Sequence, residues 1–260
     1  MPNPDQQIDI GGYALHMRVQ GSGSPVVIFE AGLGNTSATW DTVQPAASQL
    51  TCTLAYDRAG LGASDRSPRP RTIPTMVDEL AALLNRAQIS PPYVLVGHSL
   101  GGFIGRTFAY RYADLVAGLI LVDPAHEDME RRMAHLRTPE QWDRFQQAAQ
   151  AFYATAPAGV RAEWEHFTSN ADGMRVVPWL LDLPTIIITS ARFDERDRKG
   201  GMIPEDRVMW VELHTAWLQD VPGAAHITTA TSGHYIHKDE PELVIDAIKT
   251  VLAQCHRHRS

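Results

Sequence analysis

Three residue types, in one order along the chain, could carry chemistry here: a serine in a glycine-flanked turn, carboxylates at strand ends, and a late histidine. Ser99 lies in Gly97-His98-Ser99-Leu100-Gly101, between the apolar run Val94-Leu95-Val96 and a helical stretch. That is the setting of a nucleophile elbow. The turn is so sharp that glycine must flank the serine, and the hydroxyl then stands clear of its neighbours. The pentapeptide alone is a weak signal, because average Gly and Ser usage produces it by chance roughly one time in ten in a chain this long. The strand before it, the helix after it and the late Ser232-Gly233-His234 make chance a poor account.

A serine hydroxyl is a poor nucleophile at neutral pH and needs an adjacent base. His234 follows a strand, stands in a Gly-containing turn and precedes the last helix, which makes it the favoured base. His98 is too near Ser99 in sequence to face it and is expected to pack beside the elbow. His126 and His237 are weaker candidates, and His226, inside a strand pattern, reads as structural. The base must be oriented by a carboxylate. Asp123 ends the strand after the elbow helix, in Leu121-Val122-Asp123-Pro124, and is favoured. Asp194 follows the next strand and is the alternative, although it lies in a run dense with charge that reads as solvated surface. Asp197 is a third option. A tetrahedral intermediate needs two donors aimed at its oxygen. The backbone N–H of Leu100, after the nucleophile, is one, and the N–H of Leu33, in the loop after the third strand, is the other. Asp57 and Arg58 read as a loop anchor and its partner rather than as a catalytic pair.

These residues need elements to hold them. Tyr13 to Val19 alternates as a half-exposed strand does, and Val26–Phe29, Thr53–Tyr56, Tyr93–Val96, Leu119–Val122, Pro184–Thr189 and Ala225–Ala230 read as strands. Helical patterns lie between them, including Thr75–Ala87, Leu100–Tyr112, Pro204–Leu218 and a closing amphipathic helix over Glu240–Ala253. Alternation of this kind predicts an α/β fold with a mostly parallel sheet wrapped on both faces, and a site at the carboxyl ends of its strands. From about Glu127 to Trp179 no strand pattern appears. Thr138-Pro139-Glu140-Gln141 is a helix start, and Trp142, Phe145, Phe152 and Tyr153 recur at helical spacing. Residues 125–180 are therefore expected to form a helical cap on a core of residues 1–124 and 181–260. Trp142, Phe145 and Phe152 are its candidate substrate contacts, although aromatic stripes are more often core.

The bulk numbers narrow the class. The 260 residues are 44% hydrophobic and 20% charged, ordinary for a soluble globular protein. The net charge of -7 argues against nucleic acid, which needs a basic face. No apolar run is long enough to span a membrane, and Met1 to Ile10 is polar and acidic, unlike a signal peptide. With two cysteines, Cys52 in a strand and Cys255 in a polar tail expected to be frayed, a reducing cytoplasm is the expected setting. Despite 11 histidines, no spacing resembles a zinc site, so neither metal nor cofactor is expected.

The elbow, the Ser–acid–His order and the helical stretch resemble the α/β-hydrolase fold superfamily over nearly the whole chain. Asp57-Arg58-Ala59-Gly60-Leu61-Gly62 with Ser64-Asp65, and Ser232-Gly233-His234-Tyr235-Ile236-His237, resemble a group of small bacterial serine hydrolases. The resemblance implies an acid at Asp123 if the turn follows the pancreatic lipase group, or at Asp194 if it follows most of the superfamily. One departure stands out. Many members carry His-Gly after the third strand, where this chain has Ala31-Gly32. The expected activity is cofactor-free hydrolysis of a small apolar ester or lactone through an acyl-enzyme. Amide or carbon–carbon bond hydrolysis, a perhydrolase and a receptor with little turnover are the alternatives. Epoxide and haloalkane opening would need a carboxylate at the Ser99 position.

Overall fold

The structure is a computed structural model that describes residues 5–180, 182–221 and 223–257. Its strands are β1 (Asp5–Asp9), β2 (Ala14–Gln20), β3 (Val26–Glu30), β4 (Thr53–Tyr56), β5 (Tyr93–His98), β6 (Val116–Val122), β7 (Thr185–Ser190) and β8 (Ala225–Thr229). They form one sheet in the order β1-β2-β4-β3-β5-β6-β7-β8. β1 and β2 run antiparallel, and every pairing from β4 to β8 is parallel. The helices are α1 (Gln44–Ala47), α2 (Ile73–Arg86), α3 (Leu100–Arg111), α4 (Met129–His135), α5 (Pro139–Ala154), α6 (Ala158–Glu165), α7 (Phe167–Met174), α8 (Glu195–Lys199), α9 (Pro204–Asp220), α10 (Ile236–Asp239) and α11 (Pro241–Arg257).

The central strands are buried along their whole length because helices cover both faces. Successive side chains of a strand point to opposite faces, so each strand feeds two cores. Ile28, Leu54, Leu95 and Leu121 join Leu80 and Leu83 of α2 and Phe103 of α3 on one face. Val27, Phe29, Val94, Val96, Ile120 and Val122 join Val244, Ile248 and Val251 of α11 on the other. Each such aliphatic side chain, fully removed from water, contributes about 1.5–3 kcal/mol.

Four helices, α4 to α7, fill the stretch between β6 and β7, where no strand was expected. α5 starts as the sequence suggests. The Thr138 hydroxyl accepts from the Gln141 N–H at 3.3 Å, and the Gln141 side chain accepts from the Thr138 N–H at 2.8 Å. The N-terminal stretch adds a strand the sequence reading did not include, β1, an exposed edge strand whose polar alternation gave little apolar signal. Two expectations need correction. The charged run after β7 is not all solvated loop: it contains α8, in which Asp197 is buried. Cys255 is not in a frayed tail but buried on α11, its thiol against the Ala117 carbonyl at 3.2 Å. No helix among the described residues is long and apolar enough to cross a membrane.

The parallel strands end on one side of the sheet, and the chemistry-bearing residues follow those ends: Ser99 after β5, Asp123 after β6 and His234 after β8. The elbow glycines are required there by contact. A Cβ on Gly97 would lie 2.4 Å from the Gly101 carbonyl oxygen, and one on Gly101 would lie 2.4 Å from that of Glu30. Gly173, on the exposed face of α7, has nothing within 4 Å. Gly101→Ala is therefore expected to cost about 3 kcal/mol or more, since backbone cannot move aside. Gly173→Ala should stabilise by about 0.5–1 kcal/mol through helix propensity and unfolded-state entropy. Urea denaturation of the two variants tests the contrast, and equal midpoints would contradict this packing.

Candidate active site

Ser99 has φ 51° and ψ −119°, a conformation that L-residues rarely adopt and that costs about 1–3 kcal/mol. The turn is stapled to the end of β6. Ser99 N–H donates to the Val122 carbonyl at 3.2 Å, and the Ser99 carbonyl accepts from Gly102 N–H at 2.9 Å and Ala125 N–H at 3.0 Å. The hydroxyl makes no hydrogen bond to another described residue.

Asp123 is fully buried and has φ 41°, a second strained turn one strand away. Its Oδ2 accepts from His234 Nδ1 at 2.6 Å, its Oδ1 accepts from Ser190 N–H at 2.9 Å, and Arg207 Nη1 donates to Oδ2 at 2.9 Å. Burial pushes the Asp123 pKa up, but the Arg207 guanidinium and the His234 hydrogen bond outweigh it and hold the carboxyl below its usual range. The carboxylate can only accept, so Nδ1 of His234 carries the proton and Nε2 keeps its lone pair, the tautomer a general base needs.

The structure thus brings Asp123, and not Asp194, to His234. Asp194 is the N-cap of α8, its Oδ1 accepting from the N–H groups of Arg196 at 2.8 Å and Asp197 at 3.1 Å. Its other oxygen lies against Gly233, where a Cβ would come within 2.1 Å. Asp197 then grips Arg207 with both oxygens, at 2.6 and 2.8 Å. The charged run serves the site at second hand: Asp194 caps α8, α8 presents Asp197, and Asp197 holds the cation beside Asp123. Arg207 was not singled out in the sequence. The available signal was the spacing of Arg207, Trp210, His214 and Trp217, all buried on α9 and recurring at helical intervals.

The other histidines weighed in the sequence, His98, His126, His237 and His226, have partners of their own. His98 is buried beside the elbow, as expected. Its Nε2 donates to the His234 carbonyl at 2.9 Å, and its ring lies 4.5 Å from that of His234. His126 stacks on Trp217 at 4.5 Å. His237 meets Thr39 Oγ1 at 2.9 Å, and His226 meets Thr189 Oγ1 at 2.9 Å.

The loop after β3 lies directly on the elbow, for a Cβ on Gly32 would sit 3.3 Å from that of Ser99. Leu33 N–H donates to no other described residue. Leu100 opens α3, so its N–H is one of those that a helix leaves without an internal partner. Asp57 anchors loops, as expected, accepting from Ser37 N–H at 2.7 Å and Ala63 N–H at 2.9 Å. Arg58 is not its partner, however. It pairs with Glu163 of α6 at 2.7 Å.

The aromatic residues expected at a substrate are placed differently. Trp142 and Phe145 stack on each other at 5.3 Å and pack with Met133, Met209 and Leu213, joining α5 to α4 and α9. Phe152 is 68% exposed, edge-on to Tyr153. On an exposed helix the periodic stripe included a residue that the packing leaves outside. Two aromatic rings meet that of His234 edge-on: Tyr235 at 5.5 Å and, from α9, Trp210 at 6.3 Å.

Residues 27–247 match the model of the alpha/beta hydrolase family. The chain belongs to that family. It is 30% identical over 243 residues to the uncharacterized protein YqjL of Bacillus subtilis, covering 93% of this chain and 89% of that one. Other curated relatives are longer, and the chain spans 17% to 43% of their length. Among solved structures it resembles a putative lipase from Acinetobacter baumannii (TM-score 0.72, 16% identity, 98% of this chain and 92% of that one). It also resembles a thermophilic esterase from Thermogutta terrifontis (TM-score 0.66, 21% identity, 98% and 100%). At these identities the structural likeness shows the alpha/beta hydrolase fold alone.

The buried histidines make this alpha/beta hydrolase sensitive to acid. Burial lowers the pKa of His126 to about 4 and those of His214 and His237 to about 3, and holds His98 well below its usual value. Between those values and 6.5 the unfolded chain binds protons that the folded chain refuses. Each group therefore contributes stability that is complete above pH 6.5 and is lost as pH falls, by up to about 1.4 kcal/mol per pH unit. Glu30, raised by burial to about 7, and Glu130, also raised by burial, oppose this, but five histidines lowered by burial, His226 among them, act the other way. Tm by calorimetry should be lower at pH 5 than at pH 7.5, and His237→Asn should flatten the slope. A Tm independent of pH across this range would contradict these buried neutral rings.

Proposed function

We propose that this hydrolase cleaves a carboxylic ester or lactone by a serine mechanism without a cofactor. The observation that carries the reading is the 2.6 Å contact between Asp123 Oδ2 and His234 Nδ1, in loops that follow the strands on the same side of the sheet as the Ser99 elbow. Asp123 fixes the ring and stabilises its charged form. Nε2 of His234 takes the Ser99 proton as the hydroxyl attacks the carbonyl carbon. The oxygen of the tetrahedral intermediate is held by the N–H groups of Leu100 and Leu33. His234 then returns the proton to the leaving alcohol, and water releases the acyl group by the same route. The Ser99–His234 hydrogen bond closes when substrate is bound, since such contacts are often long in the free enzyme. The esterase and lipase among the structural neighbours are in keeping with this reaction class. The helical insertion α4 to α7 is proposed as a cap that shapes the substrate pocket, with Trp210 closer to the base than Trp142, Phe145 or Phe152.

The test is a p-nitrophenyl ester series from acetate to decanoate, run on wild type, Ser99→Ala, His234→Ala, Asp123→Asn and Asp194→Asn. Turnover should vanish in the first two variants and fall by roughly 10⁴-fold in Asp123→Asn. Asp194→Asn, which leaves the His234 pair intact, should retain most activity. Comparable turnover in Ser99→Ala would end the serine reading. A collapse in Asp194→Asn with Asp123→Asn active would reverse the choice of acid.

A further inference from the structure

The loop that carries Leu33 is held by a buried ion pair whose two partners come from two other segments. Arg58 follows β4 and is 2% exposed. Its Nη1 donates to the Ala31 carbonyl at 2.6 Å and its Nη2 to the Gly32 carbonyl at 2.7 Å. The Gly32 carbonyl and the Leu33 N–H belong to one planar trans peptide and point in opposite directions. A guanidinium fixed on that carbonyl therefore turns the Leu33 N–H away from itself. Asn35 N–H, 3.0 Å from the same carbonyl, adds a second tie.

Arg58 is itself held from the helical insertion. Glu163 on α6 is fully buried and accepts from Arg58 Nε at 2.7 Å and Nη2 at 2.9 Å. Glu163 Oε2 also accepts from Gly34 N–H at 2.8 Å, so one carboxylate grips both the guanidinium and the far end of the loop. α6 sits close on both loops. A Cβ on Gly159 would lie 2.0 Å from the Gly60 carbonyl oxygen, and Val160 already fills the space beside Gly34. With both charges out of water, no solvent can replace either partner.

We propose that Arg58 and Glu163 are positioning residues for the oxyanion hole. They orient the Leu33 N–H toward the oxygen formed at Ser99, and they make that donor depend on the docking of α6. The inference rests on the serine-hydrolase reading. It adds that the insertion completes the hole as well as covering the substrate.

The experiment compares wild type, Glu163→Gln and Arg58→Lys. Glu163→Gln places an amide donor against other donors, either Arg58 Nε or both Arg58 Nη2 and Gly34 N–H. Arg58→Lys keeps the charge but cannot span two carbonyls and a carboxylate. Glu163→Asp, which keeps the charge on a shorter arm, replaces Glu163→Gln if that variant does not fold. Active sites are counted by fluorophosphonate titration, and kcat and KM are measured on p-nitrophenyl acetate. The inhibition constant of an aryl trifluoromethyl ketone is measured as well, because its adduct with Ser99 puts an oxyanion in the hole. Per titrated site, kcat should fall about 10- to 100-fold with KM within about threefold, as for a weakened oxyanion donor. The ketone's inhibition constant should rise in step with the loss in kcat/KM, and the pH profile should keep its midpoint. A merely structural pair would lower Tm and the titrated fraction while leaving kcat per site unchanged, which overturns the proposal. So would a loss of kcat with unchanged affinity for the ketone. A wild type whose turnover survives Ser99→Ala would instead bring down the serine reading, and this inference with it.

Discussion

Asp123 is a carboxylate with no contact with water, and a buried charge survives only if its surroundings replace what water gave it. Here the replacements are a guanidinium, a backbone N–H and an imidazole. Each is delivered by a different part of the chain: Arg207 from α9, Ser190 from the end of β7 and His234 from the loop after β8. The direction of the His234 ring follows from this. Held at Nδ1, the neutral ring carries its proton on that nitrogen and leaves the lone pair on the other. Asp197 and the capped start of α8 extend the support by fixing the cation.

A second buried ion pair lies on the other side of the elbow. Arg58 faces Glu30 and Glu163, two carboxylates for one guanidinium. Burial lifts the Glu30 pKa to about 7, so part of the excess negative charge is relieved by a proton. The two pairs share a logic. In each, an arginine locks a group close to the Ser99 turn: the Asp123 carboxylate on one side, a loop carbonyl on the other. In each, the carboxylate that grips the arginine comes from a helix outside the central sheet, α8 in one case and α6 in the other. Such pairs add little net stability compared with apolar packing, but they fix direction, because a bidentate guanidinium has one geometry.

Much of the scaffold was legible in the residues. The wholly apolar runs at β3 to β7 could only be strands covered on both faces, and the glycines around Ser99 could only serve a turn with no room for a side chain. Legibility failed where the local signal was weak or shared between two outcomes. β1 is polar and exposed, so it lacked apolar periodicity. The run holding Asp194 and Asp197 looked like solvated charge because composition cannot show that a carboxylate and a guanidinium distant in sequence will be buried together. Phe152 and Phe145 carry the same periodic signal, yet one faces solvent and the other packs under Arg137 and against Trp142.

The sequence by itself determined the family, the parallel sheet and the elbow turn, because these depend on local sterics and on periodic burial. Only the tertiary structure decided which acid meets His234 and what holds the loop of Leu33. The reason is physical. A hydrogen bond of 2.6 Å between residues 111 positions apart depends on where two strand ends and a helix place their side chains. Asp123 and Asp194 were equally able, as residue types, to accept that bond. Their positions after β6 and at the cap of α8 gave the first the histidine and the second a helix to start.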